Sequence, residues 1–376
     1  MSEYQYYEFQ AVDRPLTPAQ QRELRALSTR ARITATSFVN HYEWGDFKGV
    51  PARLMEHVFD LHLYLANWGT RVFSLRLPCR LIDTAVVEAC LIDDEFASMR
   101  VVGENIVIAI GCDELEFEDW DDGSGWLGAL APLRADILNG DLRLFYLVWL
   151  MAVEAGVAAD DAVEPAIDLS PLSGALKAFA NFFAIDGDLI DAAVVEDGAP
   201  KDEPGHAQAH ALIRALPERE KAALLIDLFD GNDPHLAAGF RRRIRERSSR
   251  PRDEARRRTA GDLRRAARKA AERRRRRQEE EAAAERRRKE QEKAKEEQRR
   301  LEVLKRRGEV VWTDVEAAIA SRTAPGYDTA AALLADLRMM AQQQGDMAVF
   351  RHRLEDICGR HARKRRFLEK LASLGL

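Results

Sequence analysis

The sequence predicts an α+β N-terminal domain followed by all-α segments, among them a long solvated charged single helix and a small C-terminal helical module. Three observations predict it. Residues 30–112 hold short runs that alternate apolar and polar side chains between Gly-containing turns, as antiparallel strands do. Residues 126–247 carry longer apolar runs broken by helix stop signals. Charge is partitioned along the chain. Residues 1–240 hold 18 basic and 40 acidic side chains, residues 241–310 hold 30 and 15, and residues 311–376 hold 10 and 8. The formal net charge of -5 therefore hides an acidic body, a basic run and a near-neutral tail.

The elements follow in order. Residues 16–30 read as a helix, with Thr17 able to cap it and Pro18 in its first turn. RITATSFVNHYEW reads as a strand and Pro51–Asp60 as a short helix with Leu54, Val58 and Phe59 inward. LHLYLANW and TRVFSLRLP form a hairpin around Gly69-Thr70, and CRLIDTAVVEAC forms a short helix. FASMRVVGENIVIAIGC gives a second hairpin turning at Gly103-Glu104-Asn105. An antiparallel sheet of four to five strands results. Residues 126–156 read as two helices broken at Asn139-Gly140, the second apolar nearly all round and so buried. Residues 157–169 read as a linker, 170–193 as two helices around Gly187, 194–205 as the clearest linker, and 206–230 and 234–247 again as helix.

From Asp253 to Arg307 there is one Gly, no Pro and no aromatic residue. Ala, Arg, Lys, Glu and Gln dominate, and all favour helix. Eleven basic and acidic pairs stand at i,i+4, from Glu254/Arg258 to Glu302/Arg306, each contributing about 0.2–0.5 kcal/mol. A coiled coil needs apolar a and d positions, and between Leu263 and Leu301 only alanines are apolar, so no seam exists. The run is read as a solvated helix of roughly 80 Å, ended by Gly308. Residues 311–376 read as four helices. Thr313-Asp314-Val315-Glu316 looks like a capping box, Pro325-Gly326 a turn, Asp328 a cap and Gly345 a stop. The expected division is 1–156 (acidic α+β domain), 157–247 (helical domain), 253–307 (Arg/Glu-rich helix) and 311–376 (helical module).

Composition excludes several classes. Cys79, Cys90, Cys112 and Cys358 lie far apart without a CxxC pair, against a disulfide scaffold or structural zinc module. No basic and apolar leader opens the sequence, and the longest strongly apolar run, Leu144–Val153, is half a bilayer span. A cytoplasmic protein without a membrane partner is expected.

YYEFQAVDRPLT, FDLHLYLANWGTR and PLRADILNGDLRLFYLVWL together resemble a family of bacterial hypothetical proteins over about residues 4–156. WTDVEAAIA, YDTAAALLADLR and FRHRLEDICGRHARKRRFLEKL resemble the C-terminal helical regions of bacterial SWIM zinc-finger proteins. That second resemblance implies a shared partner or a nucleic-acid context. The CxC pair followed by C and H that a SWIM site needs is absent, so zinc chemistry is not implied.

Three groups of residues are candidates for a site. Arg241, Arg242 and Arg243, Arg273, Arg274, Arg275, Arg276 and Arg277, and Arg286, Arg287 and Arg288 can neutralise phosphates and so contact nucleic acid without sequence specificity. The competing reading is a solvated helix whose arginines serve neighbouring glutamates. The acidic segment Asp113–Asp122 can hold a hard cation or a basic partner but lacks EF-hand spacing, and is read as a charged strand edge and loop with Phe117 and Trp120 packed inward. His57 and His62, with Asp60 between them, stand at i,i+5 across a helix-to-strand junction, and His206 and His210, at i,i+4, lack a third ligand in sequence reach; all four are read as surface or core-edge histidines. GxSxG, P-loop and GxGxxG motifs are absent; no catalytic or metal-ligating residue and no cofactor is assigned.

The resulting expectation is a non-enzymatic adaptor or scaffold, in which a rigid charged helix separates two ends that bind protein partners. The alternative is a nucleic-acid-associated protein binding phosphates through the Arg-rich helix, non-specifically and salt-sensitively. A third reading is an enzyme with a site in the N-terminal domain that leaves no linear trace; it calls for a pocket lined by His62, Asp60 and other polar side chains.

Overall fold

The computed structural model describes residues 3–92, 96–115, 120–194, 206–231, 233–248 and 257–375. It has an N-terminal antiparallel sheet with helices, then a long helix and small C-terminal helices. Contacts group the chain into two units, Met1–Arg273 and Arg274–Leu376.

The first unit is built on seven strands, β1 (Gln5–Gln10), β2 (Arg32–Ile33), β3 (Ser37–Tyr42), β4 (Leu61–Ala66), β5 (Arg71–Pro78), β6 (Ala97–Val102) and β7 (Asn105–Cys112). Their order is β2-β3-β1-β4-β5-β7-β6, with every pairing antiparallel. Four to five strands were expected and seven form. The difference is β1, which the alternation reading overlooks, and the split of RITATSFVNHYEW into β2 and β3. Thr34 turns that chain, its N–H donating to the Ser37 carbonyl at 2.9 Å. Both hairpins fall where expected. Gly69, at φ 95°, lets the β4–β5 turn approach the Leu115 backbone, where a Cβ would meet atoms at 2.5 Å.

Strand alternation sorts the side chains onto two faces. Leu61, Leu63, Leu65, Phe73, Leu75, Leu77, Ile106, Ile108 and Ile110 form one face, all buried in the main core. A helical layer covers it: α4 (Trp126–Leu130), α5 (Pro132–Leu138), α6 (Arg143–Glu154), α7 (Gly174–Phe182) and α8 (Gly187–Ala193). For α1 to α3 the ranges are Pro18–Leu27, Pro51–His57 and Thr84–Glu88. Pro132 lacks an N–H and starts its own helix, so 126–138 is two helices rather than one. Residues 144–153 of α6 are buried on every side, as expected of its sequence. The opposite face carries Tyr7, Phe9, His62, Tyr64, Val72 and Ser74 and packs a smaller core with Phe38, Phe47, Met55 and Phe59.

Buried charges tie these layers. Asp60 is 1% exposed. It accepts from the Val12 and Asp13 N–H groups at 2.7 and 3.0 Å and from Arg76 at 2.8 Å. Arg134 of α5 clamps Asp13 through two bonds of 2.8 and 2.7 Å and lies 3.7 Å from Asp60. His235 meets the same Asp13 at 2.8 Å. Burial alone would raise the Asp13 carboxyl, but bonds from His235 and Arg134 outweigh it and lower it to about 2.

Three further helices belong to this unit, α9 (His206–Ala215), α10 (Glu218–Asp230) and α11 (Leu236–Ser248). Segment 157–169 is held in place rather than loose: Ala158 and Leu169 are buried, and Val163 bridges Thr259. The expected linker 194–205 lies almost wholly outside the described residues.

The charged helix α12 runs unbroken from Ala260 to Arg307. Residues 253–256 of the expected range lie outside the described residues, and Thr259 and Asp262 close a reciprocal cap at its start. Its first turns are packed, contrary to expectation. Ala260, Leu263 and Ala267 are buried in the main core, at the helical spacing of one face. Arg258, just before it, pairs with Glu164 at 2.9 Å and donates to the last carbonyls of α8. Arg264 reaches the Val153 carbonyl near the end of α6 at 2.9 Å.

The second unit holds the rest of α12 with α13 (Val310–Ala320), α14 (Ala324–Gln344), α15 (Met347–Arg360) and α16 (Arg365–Ser373). Val315, Ile319, Leu334, Leu337, Phe350 and Phe367 anchor its own core. Two cap readings are corrected. Thr313 lies inside α13, because Val311 is buried and draws the helix back to Val310. Pro325 opens α14 instead of turning the chain, with Thr323 capping it; Asp328 sits within the helix and pairs with Lys370 at 2.8 Å. Gly308 and Gly345 take positive φ at helix ends, as expected.

Replacing Arg134 by Met takes the two-bond partner from part-buried Asp13 and leaves buried Asp60 with Arg76 as its cation. The substitution is expected to cost about 3–5 kcal/mol of stability, read as a lower urea midpoint of the first unit.

Candidate functional site

The arginine candidates divide by surroundings. Arg241 and Arg242 of α11 fasten that helix to the body, donating to Asn139 Oδ1 at 2.7 Å and to the Arg80 carbonyl at 2.7 Å. Arg243 is exposed. Arg273–Arg277 and Arg286–Arg288 are exposed on α12. Arg275, Arg276 and Arg277 pair with Glu279, Glu280 and Glu281 at 3.7, 3.2 and 2.9 Å, and Arg288 pairs with Glu292 at 3.2 Å. Glu285 and Lys289 pair at 2.8 Å, whereas Arg300 turns to Asp336 at 2.6 Å instead of to Glu296.

The described part of the acidic segment is structural. Asp121 accepts from Arg71 and from the Trp126 indole, each at 2.8 Å. Arg71 also lies over the Phe182 ring at 4.8 Å. Trp120 is 67% exposed, not packed inward; Phe117 lies outside the described residues. Among the described residues no group of three or more His, Cys, Asp or Glu side chains converges on a possible metal position. His57 is exposed beside Glu56 and His210 is exposed on α9, while the His206 side chain lies outside the described residues. No helix of the described residues is long and apolar enough to cross a membrane.

His62 is the exception. It is no core-edge histidine but stands in the middle of the sheet, stacked on Phe9 with ring centroids 3.9 Å apart. Pairing places Phe9, His62, Ser74, Ala109 and Ser98 in one cross-strand row. Helix α2 covers only part of that face. Between the two lies a cavity of about 300 Å³. Met55, Val72, Val107 and Ala109 give it apolar walls, and His62 and Ser74 line it. Asp60, expected beside His62, does not line it, because its carboxylate is committed to Arg76 and the backbone.

The ring tautomer follows from the partners. His62 Nδ1 is 3.1 Å from the Glu8 carbonyl, which can only accept, so Nδ1 carries the hydrogen. In the neutral ring Nε2 is then an acceptor. Burial drives the imidazole down to about 4, against a smaller opposing effect of the Glu8 bond, so the neutral form prevails near neutral pH. No hydrogen bond joins Ser74 to His62, so the two do not form a nucleophile–base pair. Tyr7 and Tyr64 both donate to Gln5 Oε1, at 2.9 and 3.1 Å, at one end of the cavity. At the mouth, Arg100 donates to Glu56 at 3.0 Å.

The signal for this site was present but faint. In LHLYLA and RVFSLRLP, polar His62, Tyr64, Ser74 and Arg76 share one strand parity, while leucines and Phe73 take the other. Compared with protein-family models, with curated proteins and with solved structures, the chain matches none.

Because the folded pKa lies below the ordinary 6.5, the unfolded chain binds a proton that the folded chain refuses between those values. His62 therefore supports the fold fully above about pH 6.5, and that support drains away as pH falls to about 4. Urea midpoints taken at about pH 7, 5.5 and 4 are expected to fall less steeply for His62→Phe than for the parent chain.

Proposed function

We propose that this protein is a non-enzymatic adaptor, with α12 as a spacer between ends that bind other proteins. The observation that carries the reading is on α10. Leu225, Ile226, Leu228 and Phe229 are all exposed, Phe229 to 90%, and no residue of that helix is buried. Leu225, Leu228 and Phe229 stand at i, i+3 and i+4 and so share a face. Apolar side chains so grouped mark an interaction surface more often than a solvated one. Glu218, Glu220, Asp227 and Asp230 flank them, which suits a partner helix with an apolar stripe and basic margins. The spacer part of the reading is supported by α12 itself. Forty-eight residues in one helix measure about 70 Å, and its exposed middle carries i,i+4 ion pairs.

A second reading, nucleic-acid association through α12, is favoured by the solvent exposure of Arg273–Arg277 and Arg286–Arg288. Their pairing with glutamates works against it.

Two measurements test these readings. In the double variant Leu225→Glu/Phe229→Glu, the melting temperature is expected to hold, since neither side chain is buried. Proteins that co-purify from the native host are expected to be lost; an unchanged set removes the adaptor reading. For the second reading, retention on double-stranded DNA is expected to weaken steeply with salt, by roughly tenfold or more between about 50 and 200 mM. No retention at the lower salt removes it.

A further inference from the structure

The cavity on the outer face of the sheet holds two features that the fold does not explain. His62 and Ser74 are 3% and 4% exposed and both line it. The His62 Nε2 acceptor and the Ser74 hydroxyl have no hydrogen-bond partner among the described residues. Neither atom is among the sealed polar atoms left unpaired, so both open onto the cavity, and a side-by-side pair facing one cavity is what a bound group can meet. They are opposite each other in the β4–β5 register, so one polar group can reach both.

The surroundings restrict that group. Nε2 of the neutral ring can only accept, so its partner must be a hydroxyl or N–H donor. Ser74 can donate back to the same oxygen. Met55, Val72, Val107 and Ala109 ask for a flat apolar body between the polar end and the mouth. A volume of about 300 Å³ has room for one substituted ring and little more. At the mouth the Arg100 guanidinium is 70% exposed and spends one bond on Glu56, leaving donors for an anion. Glu56, also at the mouth, disfavours a second negative charge on the ligand.

We infer that this cavity binds a small aromatic monoacid bearing a ring hydroxyl. The hydroxyl donates to His62 Nε2 and accepts from Ser74, the ring lies on the apolar walls, and the carboxylate meets Arg100. This site is independent of the adaptor surface on α10.

The probes are 4-hydroxybenzoate and 4-hydroxyphenylacetate, each set beside its parent acid without the hydroxyl, and phenol without the carboxylate. Ligand-observed saturation transfer and titration calorimetry on the full chain are expected to give Kd of about 1 mM or tighter for the hydroxylated acids. Removing the hydroxyl is expected to weaken binding about tenfold. Ser74→Ala and His62→Phe are expected to erase that difference. Arg100→Met is expected to weaken the acids and leave phenol unchanged. Ala52 is exposed and lines the mouth, so Ala52→Phe fills the entrance without disturbing the core and is expected to abolish binding of every probe. No saturation transfer from either hydroxylated acid at about 1 mM overturns the inference, as does equal binding of the parent acids or binding that survives Ala52→Phe.

Discussion

The carboxylate of Asp60 and the guanidinium of Arg134 hold the first unit to a single arrangement. Both are removed from water, which is tolerable only while every partner is present. Through Asp13, Arg76 and His235 they reach the segment after β1, strand β5, helix α5 and the residue leading into α11. Four separate parts of the chain thereby share one set of charges. The Asp13 carboxyl is held well below its ordinary range by His235 and Arg134. Arg71 does a similar job at the other end of β5, joining the sheet to Asp121 and the Phe182 carbonyl. The sheet is thus fixed from both ends, and what stands on its outer face stands on a rigid floor.

That floor is asymmetric. One face is solid hydrocarbon under α4 to α8, and the other is covered by α1, α2 and a few aromatic side chains. Where the cover thins, between α2 and strands β5 to β7, small residues replace large ones, and Ser74, Ser98 and Ala109 leave room instead of filling it. A second difference runs along α12. Its beginning is a core element, fixed by Leu263 and by arginines set on the carbonyl ends of α6 and α8. Its middle, among the described residues, carries i,i+4 ion pairs. A single helix therefore changes its source of stability along its length, from burial to local ion pairing.

Much of this was legible in the sequence, and the failures have physical reasons. Alternation exposed both hairpins, Gly308 and Gly345 marked helix ends, and the lack of a seam between Leu263 and Leu301 pointed to a solvated helix. Strand β1 escaped because QYYEFQ is polar at Gln5, Glu8 and Gln10, yet Gln5 is buried through its bonds to Asp46 and the two tyrosine hydroxyls. The packing of Ala260, Leu263 and Ala267 was a readable stripe, obscured by the arginines around it. Arg241 and Arg242 looked like charge for a polymer because their acceptors, Asn139 and the Arg80 carbonyl, lie far away in sequence. The cavity was hidden for the same reason: Met55, His62, Ser74 and Ser98 are brought together only by strand pairing and by the placement of α2.

The strand nearest the start of the chain lies inside the sheet, between β3 and β4. During synthesis Gln5–Gln10 emerges before both of its sheet neighbours and stays without one until Ser37–Tyr42 leaves the ribosome, and its other edge waits longer, for Leu61–Ala66. A shortened gene product lacking those six residues would not simply lose an ornament at the margin. It would part the sheet into β2-β3 and β4-β5-β7-β6, with two raw edges of the kind that seed aggregation.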